Sequence, residues 1–354
     1  MKKERVDYLD YAKCIAIMLV IWGHTAPNGT NAPFRVLLYS FHMPLFFLVS
    51  GMVLVRRGDE YGKEHWKKFV SKNIMTLLVP YLIWCAIYSN FSWKSYVLVF
   101  YGSWEMINAA GTLTSLWFLP CLFVSRVMAE LLLMLSWKIK GIPRSLMAAA
   151  ASAAAFLIGF LLPKISIGYP LCSNVAFMAL GFIMLGYAIR NFVQKLPKTN
   201  AWCYLLLSAA FGGLLYFGQK IQGDSPYLML ISQTKYGKPA IFFLNSFAGI
   251  GAVLSFSIFL SIAFRNHFCR GVRRYMLWVG ENTIGIFFVH KPFLQEAIMP
   301  AVTAVCPNLP AAGQGLIGVV FALAFASAGC YVINRYVPSL FGKFGKIPAG
   351  GSQE

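Results

Sequence analysis

Residues 240–264 read AIFFLNSFAGIGAVLSFSIFLSIAF, 25 consecutive positions without one acidic or basic side chain. A helix of that length rises about 37 Å, enough to cross a hydrocarbon layer of about 30 Å. The stretch therefore reads as a membrane-spanning helix. Working outward from it, comparable apolar runs fall at 9–27, 36–55, 73–91, 113–136, 145–162, 171–189, 201–218, 275–293 and 312–334. The expected fold is an all-α polytopic membrane protein of about ten transmembrane helices with both termini on one side. Of the 354 residues, 58% are hydrophobic and only 12% are charged, where a soluble domain has about a quarter charged. With a mean hydropathy of +0.63, a water-soluble fold could not hide this much apolar surface.

A net charge of +19 would point a soluble protein toward nucleic acid. Here the basic residues sort by side of the membrane. With the N-terminus cytoplasmic, 23 Lys and Arg fall on the inner side and 7 on the outer, with Arg126 inside a span. That asymmetry places both termini in the cytoplasm by the positive-inside tendency, and no nucleic-acid partner is expected. The first apolar run carries Asp10, Lys13 and His24 and lacks a small-residue cleavage pattern, so it reads as a retained helix and not a cleaved signal. The eight cysteines have no paired spacing and read as small core residues, with no metal site and no disulfide framework. We expect one membrane domain over residues 1–354, its helical core at about 7–335 and a short cytoplasmic tail at 336–354. Two outer connections, 92–112 and 219–239, are long enough to suggest function.

Ionisable residues inside a span cost several kcal/mol unless paired or wetted, so they are candidate site residues by default. Lys13 and His24 are eleven positions apart, three helical turns plus only ~20°, which puts both on one face about 16 Å apart along the axis. Asp10 joins that face one turn before Lys13. The plainer alternative is an interfacial ion pair and a hydrogen-bonded helix-end histidine. His42 opens the second apolar run near its outer end, and His290 lies near the outer end of the ninth, beyond Gly280-Glu281-Asn282-Thr283. Three histidines thus converge on one layer, and imidazole is the group suited to exchange a proton near neutral pH. His65 and His267 fall in inner loops and read as solvated bystanders. Arg126 and Glu130, one turn apart in a span, read as a self-neutralising pair with no assigned chemistry. Arg56, Arg57, Lys63, Lys67, Lys68 and Lys72 load the inner side, either as ordinary positive-inside charge that meets anionic lipid or as a cradle for a phosphorylated donor.

Lys13 with ten residues before His24, Phe41-His42-Met43-Pro44-Leu45-Phe46-Phe47 with Ser50-Gly51, Leu116-Trp117-Phe118-Leu119, and Gly280-Glu281-Asn282-Thr283 leading to His290 together resemble acyltransferase family 3. That family comprises bacterial integral-membrane O-acyltransferases of the fucose 4-O-acetylase-like and O-antigen acetylase-like kinds. The resemblance runs from residue 7 to about 335. It implies an O-acetyltransferase of the cell (inner) membrane that takes acyl-coenzyme A, most commonly acetyl-CoA, from the cytoplasm as co-substrate, with no permanently bound cofactor. The acceptor it implies is a sugar hydroxyl of a cell-surface glycan or lipid-linked saccharide.

Carried onto this sequence, the resemblance makes His24, Lys13 and Asp10 the catalytic set. Lys13 stands where many members have Arg, and it lacks that residue's bidentate fork. Lys13, Arg56, Arg57, Lys68 and Lys72 would hold the donor phosphates. His42, His290, Glu281, Asn282, Trp93, Trp104 and Trp117 would bind or support the acceptor. A rival reading is a secondary transporter or flippase of a polar or lipid-linked solute, since intramembrane charges also line solute pathways. Against it, no inverted repeat and no pair of Gly/Pro-broken helices is visible in corresponding halves of the sequence.

Overall fold

The computed structural model describes residues 6–25, 33–54, 62–196, 200–223, 230–265 and 269–344. Every regular element among them is a helix. In chain order the α-helices are α1 (Asp7–Thr25), α2 (Pro33–Tyr39), α3 (His42–Met52), α4 (Lys63–Asn73), α5 (Val79–Tyr88), α6 (Trp93–Tyr101), α7 (Trp104–Ala109) and α8 (Phe118–Ser136). There follow α9 (Arg144–Leu161), α10 (Ser173–Lys195), α11 (Ala201–Gln222), α12 (Pro239–Ala263), α13 (Arg270–Glu281), α14 (Thr283–Phe293), α15 (Met299–Val305) and α16 (Ala311–Tyr336).

Eight helical segments among the described residues are long and apolar enough to cross a membrane: Phe34–Met52, Lys63–Tyr88, Thr114–Ser136, Arg144–Leu161, Pro170–Lys195, Ala201–Gln222, Pro239–Ala263 and Ala311–Tyr336. The protein is a multi-pass membrane protein. These segments match eight of the ten expected spans. The other two are α1, which carries Asp7, Asp10 and Lys13, and the expected span 275–293, which the structure divides into α13 and α14 at Asn282. The two elements that fall short of a plain lipid-facing composition are those that carry His24 and His290.

The aromatic connection 92–112 is not an open loop. Its residues form the short helices α6 and α7, closed at Gly102 in the left-handed region (φ 72°) and capped by Ser103, whose Oγ accepts from the Met106 N–H at 3.1 Å. At nine residues α6 is too short to span, which is why a search for membrane-length runs passes over it.

The chain packs as two compact units. One lies within residues 1–49, 192–231 and 235–330, the other within 50–191, 232–234 and 331–354. In the first, α1 is the central element and packs on α12, α13 and α14, while α11 pairs along α12. Without a hydrophobic drive between helices in lipid, close backbone approach and hydrogen bonds hold such a bundle together. Gly280 of α13 lies against the Asp10 backbone, where a Cβ would come within 2.8 Å of the Asp10 carbonyl carbon. Gly315 of α16 lies against Thr25 and Trp22 at the far end of α1. Ser246 donates to the Ser40 carbonyl at 2.9 Å, and Ser208 donates to Ala252 at 2.9 Å.

In the second unit α8, α9 and α10 are joined in the same way. Ser152 donates to the Gly181 carbonyl at 2.7 Å, and Gly159 admits the Met178 backbone. None of the eight cysteines, all of them described, is in a disulfide; the Cys172 thiol donates to the Gly102 carbonyl at 3.2 Å.

Candidate active site

The first unit gathers three of the five histidines. His24 occupies the last turn of α1 and is partly exposed; its ring centroid lies 5.6 Å from that of His290 on α14, which is fully buried. Gly23 explains how the end of α1 is held. With no side chain there, the Tyr39 ring comes to 3.0 Å from where a Cβ would be, and the Tyr39 hydroxyl donates to the Gly23 carbonyl at 3.2 Å. Tyr39 also lies 5.1 Å from the ring of buried His42 and carries the Arg35 guanidinium 5.0 Å above its centroid. Lys291, buried to 8% exposure beside His290, falls within Coulombic range of His24, as do Arg35, His42 and His290. No described carboxylate pairs with Lys291. After Pro292 the helix passes into a π-turn at Leu294–Ile298, a form frequent at functional sites.

Backbone carbonyls assign the tautomers. His42 Nδ1 lies 2.6 Å from the Leu38 carbonyl, and His290 Nδ1 lies 2.8 Å from that of Phe287 and 3.3 Å from that of Ile286. A carbonyl only accepts, so Nδ1 must carry the proton in both rings. Each neutral ring then presents a lone pair at Nε2, and in His290 that atom is buried with no hydrogen-bond partner among the described residues. One such base, His290, therefore lies beside His24, with Lys291 next to it in the chain.

At the other end of α1, Lys13 Nζ meets Asp10 Oδ1 at 2.6 Å, with side chains 26% and 10% exposed. The expected pair is present on the expected face. Arg273 of α13 binds Asp7 at 2.7 Å, clamping the start of α1. Glu281 and Asn282 follow Gly280 and so sit at the Asp10 end of α1, about 13 Å of helix rise from His290. Asn282 is at the break between α13 and α14, where its Nδ2 donates to the Trp278 carbonyl at 2.9 Å.

The remaining candidates belong to the second unit. Lys68 and Lys72 are exposed on one face of α4, Lys68 in a loose 3.6 Å pair with Glu64. Trp93 is 79% exposed, Trp104 half-buried and Trp117 buried against Phe118. Arg56 and Arg57 lie outside the described residues, as does His267.

One correction follows in this unit. His65 is not a solvated bystander: its Nε2 lies 2.6 Å from Oε1 of Glu130, which is fully buried. Arg126 reaches across to Ser50, whose Oγ it meets at 3.3 Å, and lies 5.9 Å from the Phe69 ring centroid. Glu130 thus has a partner on another helix. A contact 65 positions apart leaves no trace in local spacing. Lys291 and Arg35 are two of the seven charges that read as outer-side, although a lysine beside a histidine within an apolar run is itself a signal.

A family model described as an acyltransferase domain matches residues 6–335. The chain is 27% identical over 309 residues to a protein named nodulation protein NolL from Mesorhizobium japonicum, covering 79% of this chain and 74% of that one. A second NolL, from Sinorhizobium fredii, is 31% identical over 86 residues, 22% of this chain and 23% of its own. No solved structure matches. With nearly the whole chain matched, the protein belongs to acyltransferase family 3 and is a membrane acyltransferase.

Proposed function

We propose that the protein transfers an acetyl group from acetyl-coenzyme A, supplied from the cytoplasm, to a sugar hydroxyl of a cell-surface glycan or lipid-linked saccharide. The observation that carries this reading is the His24–His290 pair, ring centroids 5.6 Å apart, at one end of a helix whose other end holds Lys13 on the same face. The helix rise of ~16 Å between Lys13 and His24 suits a donor whose phosphates rest near Lys13 while its pantetheine arm brings the thioester to the imidazole. Lys68 and Lys72 are further candidates for the phosphates.

His24 takes the proton of the acceptor hydroxyl as that oxygen attacks the thioester carbonyl carbon. The carbonyl electrons move to its oxygen, which needs a hydrogen-bond donor at that moment. His42 and His290 have spent their N–H groups on backbone carbonyls, which leaves the Lys291 ammonium as the donor suited to that charge. As the intermediate collapses, the C–S bond breaks and His24 returns the proton to the thiolate, releasing coenzyme A. His42 and His290, as acceptors, orient the incoming hydroxyl.

The test is transfer of label from radiolabelled acetyl-coenzyme A to glycolipid in membranes that express the wild type, His24→Ala, Lys13→Ala or Lys291→Met at equal levels. We expect His24→Ala and Lys291→Met to lose turnover by about 100-fold or more and Lys13→Ala to lose mainly apparent donor affinity. Unchanged transfer in His24→Ala would remove it from the chemistry.

A further inference from the structure

Near the His42 end of the same unit lies a second group of buried polar side chains. Gln219 and Gln222 end α11, 5% and 6% exposed, and Asn245 is fully buried one and a half turns into α12. Gly218 brings the two helices together, since a Cβ there would lie 3.1 Å from the Asn245 carboxamide carbon. Gln222, four positions after Gly218, shares its face. Gln219 spends its Nε2 on the Gly223 carbonyl at 2.8 Å. Among the described residues, four amide atoms are buried without a hydrogen-bond partner: Gln219 Oε1, Gln222 Oε1, and both Oδ1 and Nδ2 of Asn245.

Each such atom costs about 1–3 kcal/mol if it stays unpaired, and a native interior holds only a few of them. Four on facing turns of two helices point to a ligand that supplies both donors and acceptors without charge. Hydroxyls on adjacent carbons do this, each donating once and accepting twice. The group is also joined to the histidine layer. Ser246, next to Asn245, donates to the Ser40 carbonyl at 2.9 Å, two residues before His42.

We propose that Asn245, Gln222 and Gln219 form the acceptor subsite of this enzyme and bind the hydroxyls of an uncharged saccharide residue. The inference rests on the acetyl-transfer reading and adds to it where, and by which groups, the sugar is held.

Two activities of the full-length protein in membranes test it. One is release of coenzyme A from acetyl-coenzyme A with water as acceptor, and the other is transfer of labelled acetyl to total membrane glycolipid. Asn245→Leu keeps the branched four-atom shape, Gln222→Leu shortens the side chain by one heavy atom, and both remove the amide. We expect the apparent KM for glycolipid to rise about 10- to 100-fold, as for loss of hydrogen bonds to a bound hydroxyl, with hydrolysis and thermal midpoint unchanged or slightly raised. Transfer within twofold of wild type in both variants overturns the assignment. So does a parallel fall in hydrolysis and transfer by a folded variant, which would mark the amides as structural. If Asn245→Leu does not fold, Gln222→Leu in the last turn of α11 decides alone. Wild-type membranes that neither hydrolyse acetyl-coenzyme A nor label glycolipid would bring down the acetyl-transfer reading itself, a different result from either of these.

Discussion

Replacing Gly280 with alanine adds one methyl group at the tightest approach of α13 to α1. The new Cβ would lie 2.8 Å from the Asp10 carbonyl carbon and 2.9 Å from its Cα, where ordinary contact begins at 3.4 Å. Both neighbours are backbone, so no side chain can swing aside, and one helix must retreat by at least about 0.6 Å. Overpacking of this kind costs about 1–3 kcal/mol, against which the better helix propensity of alanine returns at most ~1 kcal/mol. We expect a lower thermal midpoint in detergent, followed by tryptophan fluorescence, and a fall in acetyl transfer, because the displaced segment carries the Asp10–Lys13 pair. Gly212 in α11 is the control. A Cβ there meets nothing within 4 Å, so Gly212→Ala should leave the midpoint unchanged or raise it. A Gly280→Ala protein that melts at or above the wild type would refute the close packing of α1 on α13 and the use made of it here.

Three further outcomes are expected. His65→Ala and Glu130→Ala should each destabilise by about 1–3 kcal/mol, since each leaves a partly or fully buried partner short of its 2.6 Å contact; the double variant, read from denaturation midpoints, should fall short of the sum by at least ~0.5 kcal/mol. Asp7→Asn should change stability by less than ~1 kcal/mol, because the Arg273 pair is 42% and 30% exposed, and a larger loss would mean that the clamp at the start of α1 is needed for folding. Trp93→Ala, at a residue 79% exposed, should leave the midpoint unchanged while raising the acceptor KM a few-fold; no change in KM would return Trp93 to the membrane–water interface belt.

The fold was legible because hydropathy is additive along a chain. Eight of the ten expected spans recur as long apolar helices, and even the departures, α1 and the broken α13–α14, are those that the charged residues already set apart. The convergence of His24, His42 and His290 was readable from the depth of each histidine in its own run. What escaped depends on groups distant in sequence. Glu130 meets His65 from another helix, and Asn245 meets Gly218 and the glutamines of α11 across a helix pair. The α6–α7 segment escaped for a different reason: its nine-residue first helix is below the length that a membrane-span reading can register.

The division of the ninth apolar stretch at Asn282 separates two jobs that an unbroken rod would couple. In a continuous helix, moving the backbone beside Asp10 would drag His290 with it. Here the break, stabilised by the Asn282 side chain on the Trp278 carbonyl, lets α13 set the Asp10 end of α1 and α14 set the imidazole layer as separate adjustments. A change in α14 can shift the His290 ring without disturbing how the Asp7–Lys13 half of α1 is gripped.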